Sequence, residues 1–569
     1  MRHLSFIPVI FFLVSSALAH SQVTCNGDDI LKLVNERGQA EVEIAYPGFS
    51  AMSKLATRFS VSSCDGKTAV LSLSPLTAAD FISSGIPYKI HSAESSKIVY
   101  TASSAAEAMQ WHSYPTRQQY DTIMRTIANK WPTVCVLDTI GQSALGKPIL
   151  ALKISDNAGN NEDEPEVLFT SSIHGDELGG FIMMMRLAET LASQSNDGGL
   201  VQKLTSGLEI WINPLSNPDG TYRYGDTIKY PTRANINGYD LNRNFPDAGV
   251  SSPPPLQPET NAMIAFMRKR HFVLSANYHG GSEVVNYPWD KWLSIYHADN
   301  DWFDEISRRY ADTVHEYCEP GYLDDLDNGV TRGAAWYTVN GGRQDYVTYE
   351  LGGRELTIEL DLTKQTPATD LETLWNDNRR SFLHLLEEAL FCVHGIVTDA
   401  ETGLPLGATI YIAGHDKDSS QVYSDTTTGS FSRFLSPGSW SLTVSCEGYQ
   451  TQVIENVNVI WNDVTWLDIQ LEPASYPEPP DKGLLIYPSP SEGSIKILPP
   501  DEITGEVQVS VFSRNGSVVR TEKKTMEAGI PVDLDLTTLA HDMYIISVRK
   551  LPDGPSARGK VVICACGQR

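Results

Sequence analysis

Cysteine is scarce and scattered. The eight residues Cys25, Cys64, Cys135, Cys318, Cys392, Cys446, Cys564 and Cys566 are too few among 569 positions for a disulfide scaffold, and no Cys-x-x-Cys pair suggests a zinc ribbon. In an oxidising compartment Cys25 with Cys64, and Cys392 with Cys446, would each staple one small domain. Basic charge is short as well: 44 Lys and Arg against 70 Asp and Glu leave −26. That balance argues against a grip on nucleic acid phosphates or an anionic bilayer as the main function, and favours basic partners. Long apolar runs are missing after Leu4–Val14, so no transmembrane helix is expected. Arg2 and His3 precede that run and Ala17-Leu18-Ala19 follows it with small residues suited to a signal peptidase. Residues 1–19 therefore read as a signal peptide, and the protein as secreted or held at the cell surface.

What is present is an ordinary soluble composition, 41% hydrophobic and 20% charged, over a length that suits three or four domains. Residues 20–100 alternate short apolar strands, Glu41–Ile44 and Ala69–Leu73, with a helix at Thr77–Ser84, a small α+β unit. Ala102–Gln110 is rich in small residues and suits a linker. From 114 to 391 strands (149–154, 166–172, 208–213, 272–277, 355–361) alternate with helices (116–130, 178–194, 258–270, 300–317, 370–390). That order predicts an α/β domain with a mixed, mostly parallel sheet and helices on both faces, its ligands bound outside the carboxyl ends of the strands. Residues 392–473 switch to short strands punctuated by Thr402-Gly403, Thr428-Gly429 and Pro437-Gly438, a β-sandwich. A Pro-rich linker, 474–483, precedes a second all-β module, 484–569.

The chemistry concentrates at predicted strand ends. His174 and Glu177, in Ser172-Ile-His-Gly-Asp-Glu177, stand three residues apart, a spacing that sets an imidazole nitrogen and a carboxylate oxygen about 2 Å from one zinc ion. Alone the pair is weak, since His-x-x-Glu arises often by chance and is more commonly an ordinary solvated turn. His279, at the end of another strand, supplies a third ligand, and three ligands with an open fourth position define a catalytic zinc. His315-Glu-Tyr-Cys-Glu319 superficially copies a zincin helix, but its second His is a Glu, and it reads as a solvated helix face.

Between the ligands lie Asn217-Pro-Asp-Gly220, Arg233 and Asp240-Leu-Asn-Arg-Asn-Phe-Pro246, and beyond them Trp336-Tyr337 and Thr357-Ile-Glu359-Leu. With these residues the stretch from Tyr114 to Phe391 resembles the zinc metallocarboxypeptidases, most closely the branch of carboxypeptidases D, E and N. The resemblance implies the metallocarboxypeptidase fold and one Zn2+ per chain on His174, Glu177 and His279. It implies Glu359 as the base that takes a proton from water and returns it to the leaving amine, and Arg233 as the stabiliser of the oxyanion. Asn242, Arg243 and Tyr337 would hold the substrate's terminal carboxylate, and Asp240 would orient His174. Two positions that shape the side-chain pocket in that branch fall here on Asp290, eleven after His279, and Gln344, seven after Tyr337. They imply a preference for C-terminal Lys or Arg on peptide or protein substrates.

The sandwich at 392–473 resembles the transthyretin-like domain that follows the catalytic domain in that branch. The last module resembles the C-terminal sorting domain of type IX secretion cargo, with Pro488-Ser-Pro490 where Pro-Asn-Pro is usual. That resemblance implies the secretion machinery as a partner. The 20–100 unit resembles the leader domains of bacterial relatives, either a removed propeptide or a permanent domain. Two alternatives stand beside the peptidase: an amidohydrolase of wall peptides or acylated amino acids on the same scaffold, and a binding protein that has lost the reaction.

Overall fold

The computed structural model describes residues 27–91, 99–250, 253–474, 483–491, 493–514, 516–540, 542–552 and 554–563. The expected signal peptide, Cys25, most of the Pro-rich linker, Cys564 and Cys566 lie outside the described residues. The chain divides into two compact units, residues 1–447 with 451–472, and residues 448–450 with 473–569.

The first unit begins with the α+β element. Its four strands run in the order Ser60–Cys64, Thr68–Leu73, Ala40–Ala45, Lys89–Ile90. Alternation in Ala40–Ala45 buries Ala40, Val42 and Ile44 against Ile30, Met52 and Phe81 of the flanking helices. The stretch Ala102–Gln110 is not the expected linker. Ser104 caps a helical turn, Ala105–Ala108, by accepting the Glu107 N–H at 3.2 Å, and Ala102, Ala108 and Trp111 are buried in the main core. Small side chains that suit a free linker suit a close approach to a packed surface equally well.

The main sheet has eight strands: β1 (Cys135–Gln142), β2 (Pro148–Ile154), β3 (Glu166–Ser171), β4 (Glu209–Asn213), β5 (Phe272–His279), β6 (Ser282–Tyr287), β7 (Val330–Arg332) and β8 (Arg354–Asp361). Their order is β7-β6-β8-β5-β3-β4-β2-β1. The central neighbours β4, β3, β5 and β8 are mutually parallel, while β1, β2 and β6 run antiparallel to a neighbour. β3 and β5 are buried at every position, as strands covered on both faces must be. On one face α1 (Arg117–Lys130), α2 (Gly179–Ser193), α4 (Asn300–Tyr317) and α6 (Leu371–Glu388) pack Ile123, Phe181, Phe303 and Phe382 with Phe169 and Tyr278. On the other, α3 (Pro258–Lys269) and α5 (Arg343–Glu350) bring Phe266 and Tyr346 against Leu168 and Trp211. Parallel β3, β5 and β8 therefore end at one edge, which is where the site lies.

A seven-stranded sandwich follows in two sheets, from Val393–Asp399 to Thr465–Leu471. A buried ion network joins it to the main domain: Asp299 Oδ2 accepts from Arg354 at 2.7 Å and from Arg433 at 2.6 Å, and Arg433 also donates to Asp416 at 2.6 Å. Two guanidinium groups against two carboxylates leave no net charge buried among these four. Cys392 and Cys446 are both free, contrary to the suggested staple. Cys392 Sγ faces the His394 ring at 3.4 Å, whereas Cys446 Sγ meets Gly407 O at 3.6 Å. The second unit is a separate β-structure of a three-stranded and a four-stranded sheet, with Val507, Val509, Ile546 and Val548 in its core.

Candidate metal centre and active site

The metal loop leaves β3 at Ser171 and turns through Ser172, whose φ of 51° is in the left-handed region. Its Oγ secures the turn by donating to Glu177 O at 2.8 Å. Gly175 is required by space: a Cβ there would lie 2.4 Å from the carbonyl carbon of Gly220. The Asn217-Pro-Asp-Gly turn braces the loop from that side. Asn217 Nδ2 donates to Ile173 O and Arg233 O, and Thr221 Oγ1 to Gly175 O at 2.7 Å.

The loop brings His174 and Glu177 to His279 at the end of β5, all three buried at 1, 3 and 2% exposure. His174 Nδ1 lies 2.8 Å from Glu177 Oε1, His279 Nδ1 lies 2.8 Å from Glu177 Oε2, and the two Nδ1 atoms are 3.1 Å apart. Two imidazole nitrogens that close share at most one proton, so lone pairs face one another and a cation between them relieves the repulsion. The donor set, two neutral nitrogens and one carboxylate, fits zinc. Burial pushes the Glu177 acid up, but the two rings outweigh it and hold it well below the usual range. Another His- and Asp-containing group, Asp299, His415 and Asp416, is already committed to Arg354 and Arg433. His315 Nε2 is bonded to Leu323 O at 2.8 Å and stands away from any metal-ligating group among the described residues.

The outer nitrogens are held too. His174 Nε2 is 3.1 Å from Asp240 Oδ1, and Asp240 Oδ2 accepts Arg233 Nε at 2.9 Å. Arg233 Nη1 closes the ring onto Glu177 Oε1 at 3.0 Å. Arg233 thus braces the metal-ligating carboxylate as well as facing the site, and its pKa is raised because Asp240 and Glu177 outweigh its burial. His279 Nε2 is 2.9 Å from the Asn277 carboxamide, an orienting partner the sequence does not single out.

Glu359 lies in β8 directly beside His279. Its Oε2 is buried without a hydrogen bond, and burial pushes its pKa up to about 7, with His279 pulling down and Glu177 pushing up. Asn242 and Arg243 follow Asp240 in a short 3-10 turn. Asn242 Oδ1 accepts the Arg343 N–H at 2.9 Å, which directs its amide. Arg243 Nη1 donates to Asn242 O at 2.8 Å, while Nε and Nη2 are buried with no partner. Tyr337 is half-buried, and burial lifts its phenol to about 12. Asp290 Oδ1 accepts from Gln344 Nε2 at 2.9 Å. The candidate metal, catalytic and substrate-binding residues named from the sequence therefore lie around one strand edge, and His315 does not.

The α+β element closes over this edge. Tyr337 packs against its core, Trp336 Nε1 donates to Cys64 O at 3.1 Å, and Gln39 Oε1 accepts the Arg233 N–H at 2.7 Å. Lys364 links the two parts by donating to Glu41, to Ser62 Oγ and, at 3.4 Å, to Asp176. None of these contacts is legible in sequence spacing.

Comparison with known proteins agrees with the architecture. A family described as zinc carboxypeptidase matches residues 120–381, a carboxypeptidase regulatory-like domain matches 392–472, and a secretion system C-terminal sorting domain matches 485–563. Human carboxypeptidase D is 35% identical over 363 residues, 61% of this chain and 26% of that protein. The carboxypeptidase N catalytic chain of Rattus norvegicus is 32% identical over 400 residues, 62% of this chain and 85% of that one. The chain thus spans about a quarter of the carboxypeptidase D relatives it matches. Carboxypeptidase A from Helicoverpa armigera shares the fold at a TM-score of 0.50 and 17% identity, covering 62% of this chain and 97% of that one.

Proposed function

Because the chain belongs to the zinc carboxypeptidase family, we propose that it is an exported metallocarboxypeptidase that removes the C-terminal residue of peptides, preferring Lys or Arg. The observation that carries this reading is a contrast within one buried corner: the metal-ligating groups are paired, but Arg243 Nε and Nη2 and Glu359 Oε2 are not. His174, Glu177 and His279 would hold the zinc ion, which would supply Lewis acidity to the scissile carbonyl and make water nucleophilic near neutral pH. Arg243 donates Nε and Nη2 to the terminal carboxylate, with Asn242 and Tyr337 beside it, so that only the last peptide bond is presented to Glu359. Glu359 accepts the proton of the attacking water and returns it to the leaving amine. Arg233, tied through Nε and Nη1, has Nη2 left to donate to the developing oxyanion. Asp290 and Gln344 receive the cationic side chain. The carboxylate clamp favours this reading over a deacylase, and the complete set of ligands and base favours it over a binding protein.

The sorting domain supports export by the type IX route, with residues 484–569 removed on the way. The test of function is purified zinc-loaded protein on matched peptides ending in Arg, Lys, Phe or Leu. Arg and Lys should exceed Phe and Leu by about 10²-fold in kcat/KM, and a chelator should abolish the rate until zinc is restored. Stable activity without zinc would end the reading.

A further inference from the structure

The N-terminal α+β element touches the chain beside one functional residue after another. Tyr224 Oη donates to Glu36 O at 3.1 Å and Arg37 lies over the Tyr230 ring at 5.1 Å, both on the segment that leads into Arg233. A Cβ on Gly238, just before Asp240, would lie 3.1 Å from Leu76, and one on Gly281, just past His279, 3.3 Å from Ser62 O. Trp336, beside Tyr337, donates to Cys64 O, and Lys364, past Glu359, donates to Glu41.

One contact goes further, to the backbone of Arg233 itself. The helix Asp28–Arg37 ends at Gly38, whose φ is 81°, and a Cβ there would lie 2.3 Å from Arg223 Nε, so the turn and the close approach both need glycine. The turn sets the Gln39 amide between two loops, and both of its ends are used. Oε1 accepts the Arg233 N–H at 2.7 Å and Ser72 Oγ at 3.4 Å, while Nε2 donates to Asp176 Oδ2 at 3.0 Å. On its other side Arg233 O accepts Asn217 Nδ2 and the Gly175 N–H, both at 3.3 Å. A guanidinium aimed at an oxyanion is only as fixed as the backbone that carries it, and Gln39 supplies one of the two fastenings. Asp176, next to the ligating Glu177 and 1% exposed, also takes Lys364 at 3.4 Å, which is itself held by Glu41 and by Ser62 Oγ at 2.8 Å. A buried carboxylate is costly unless paired, and the element pairs this one directly through Gln39 and indirectly through Lys364.

We propose that Gln39 is a positioning residue for Arg233 and the metal loop, and that residues 27–91 are a retained working part of the enzyme, not a segment whose removal switches it on. This rests on the carboxypeptidase reading and goes beyond it. A segment that blocked the site would pair the groups that await substrate. The element pairs the supporting groups instead, and among the described residues Arg243 Nε and Nη2 and Glu359 Oε2 have no partner.

The test uses the full zinc-loaded chain on Arg-terminated peptides. Gln39→Met keeps the side chain's length and removes both amide contacts. Its kcat should fall about 10-fold with KM within about 2-fold, because the oxyanion contact is made only in the transition state. Zinc affinity, read by chelator competition without substrate, should fall about 10-fold as the metal loop loosens. Gln39→Glu sets a carboxylate against Asp176 and should lose more, and adding Asp176→Asn, which returns a donor to face an acceptor, should recover most of that further loss. N-terminal sequencing of the secreted enzyme at full activity should find residues 27–91 present. Wild-type kcat and zinc affinity in folded Gln39→Met, or faster release by it, would overturn the proposal. So would full or increased activity in a chain that has lost 27–91. If the variants do not fold, the wild-type mapping decides alone. No release from any peptide refutes the carboxypeptidase reading, while the zinc readout still tests Gln39.

Discussion

The metal corner and the substrate corner lie at the same strand edge and treat polar atoms in opposite ways. Around the metal ligands polar atoms are interlocked: His174 to Asp240, Asp240 to Arg233, Arg233 to Glu177, His279 to Asn277. On the substrate side Arg243 Nε and Nη2, Glu359 Oε2, Asn286 Oδ1 and Gln344 Oε1 are buried and unpaired. An interlocked ring fixes ligand geometry before the metal arrives. Unpaired groups keep hydrogen bonds in reserve, and a substrate that supplies the partners gains what the folded protein forgoes.

Breaking the interlocked side should do the most damage. His279→Ala leaves two ligands, and metal analysis should find zinc well below one per chain, with peptide release at background. Asp240→Asn keeps all three ligands but removes the carboxylate from His174. Zinc affinity should then fall about 10- to 100-fold, measured by competition with a chelator. On the unpaired side Glu359→Gln should keep zinc and substrate binding while turnover drops at least ~10²-fold. A zinc loss in that variant would move Glu359 to the interlocked set and blur the comparison.

A pH profile sharpens it with a smaller effect. Burial pushes the Asp290 acid up to about 6, with the Asn286 N–H, Arg243 and His279 pulling down and Glu355 pushing up. Its charge is present above that pH and lost below it. Glu359 gives every substrate an acid limb near pH 7, so Asp290 shows as a further loss: the ratio of kcat/KM for Arg- over Phe-terminated peptides should fall about 10-fold between pH 7 and pH 5. An Arg-to-Phe ratio unchanged over that range would detach the effect from Asp290.

The smallest effect concerns a buried carboxylate remote from the chemistry. Glu166 opens β3 at the end opposite the metal loop, and burial first, then Glu209, push it up to about 7 against Arg270. Its folded pKa lies above its unfolded one. Its contribution to stability is therefore complete below the unfolded pKa, near 4.5, and is lost as pH rises through about 7. Glu166→Gln should flatten the rise in Tm between pH 8 and pH 5 without altering peptide release.

Much of this was legible in sequence because each chemical group sits in a short segment at a strand end. His174 and Glu177 share one loop, Asp240 to Arg243 one turn, and the strands carrying His279 and Glu359 read as apolar runs. The supports were not legible. Asn277 looks like any polar residue in a strand, and its value comes from facing His279 and Thr170. Asn286 meets Asp290 across the turn that follows β6, and Gly333 meets it from a helix start. Strand β1 is half-exposed along an edge, so its apolar pattern is faint. Ala102–Gln110 misleads because composition cannot separate a free linker from a tightly packed turn.

The most direct measurement uses a matched pair of peptides ending in Arg, one with a free carboxylate and one amidated, followed by mass spectrometry with wild type and Arg243→Met. The unpaired Arg243 donors should make the free acid lose one residue, leave the amide intact, and make the variant roughly 10²-fold slower on the acid, as truncating a buried charge partner does. Equal cleavage of acid and amide, or cleavage at an internal bond, would contradict the claim that these donors exist to hold a peptide's C-terminus.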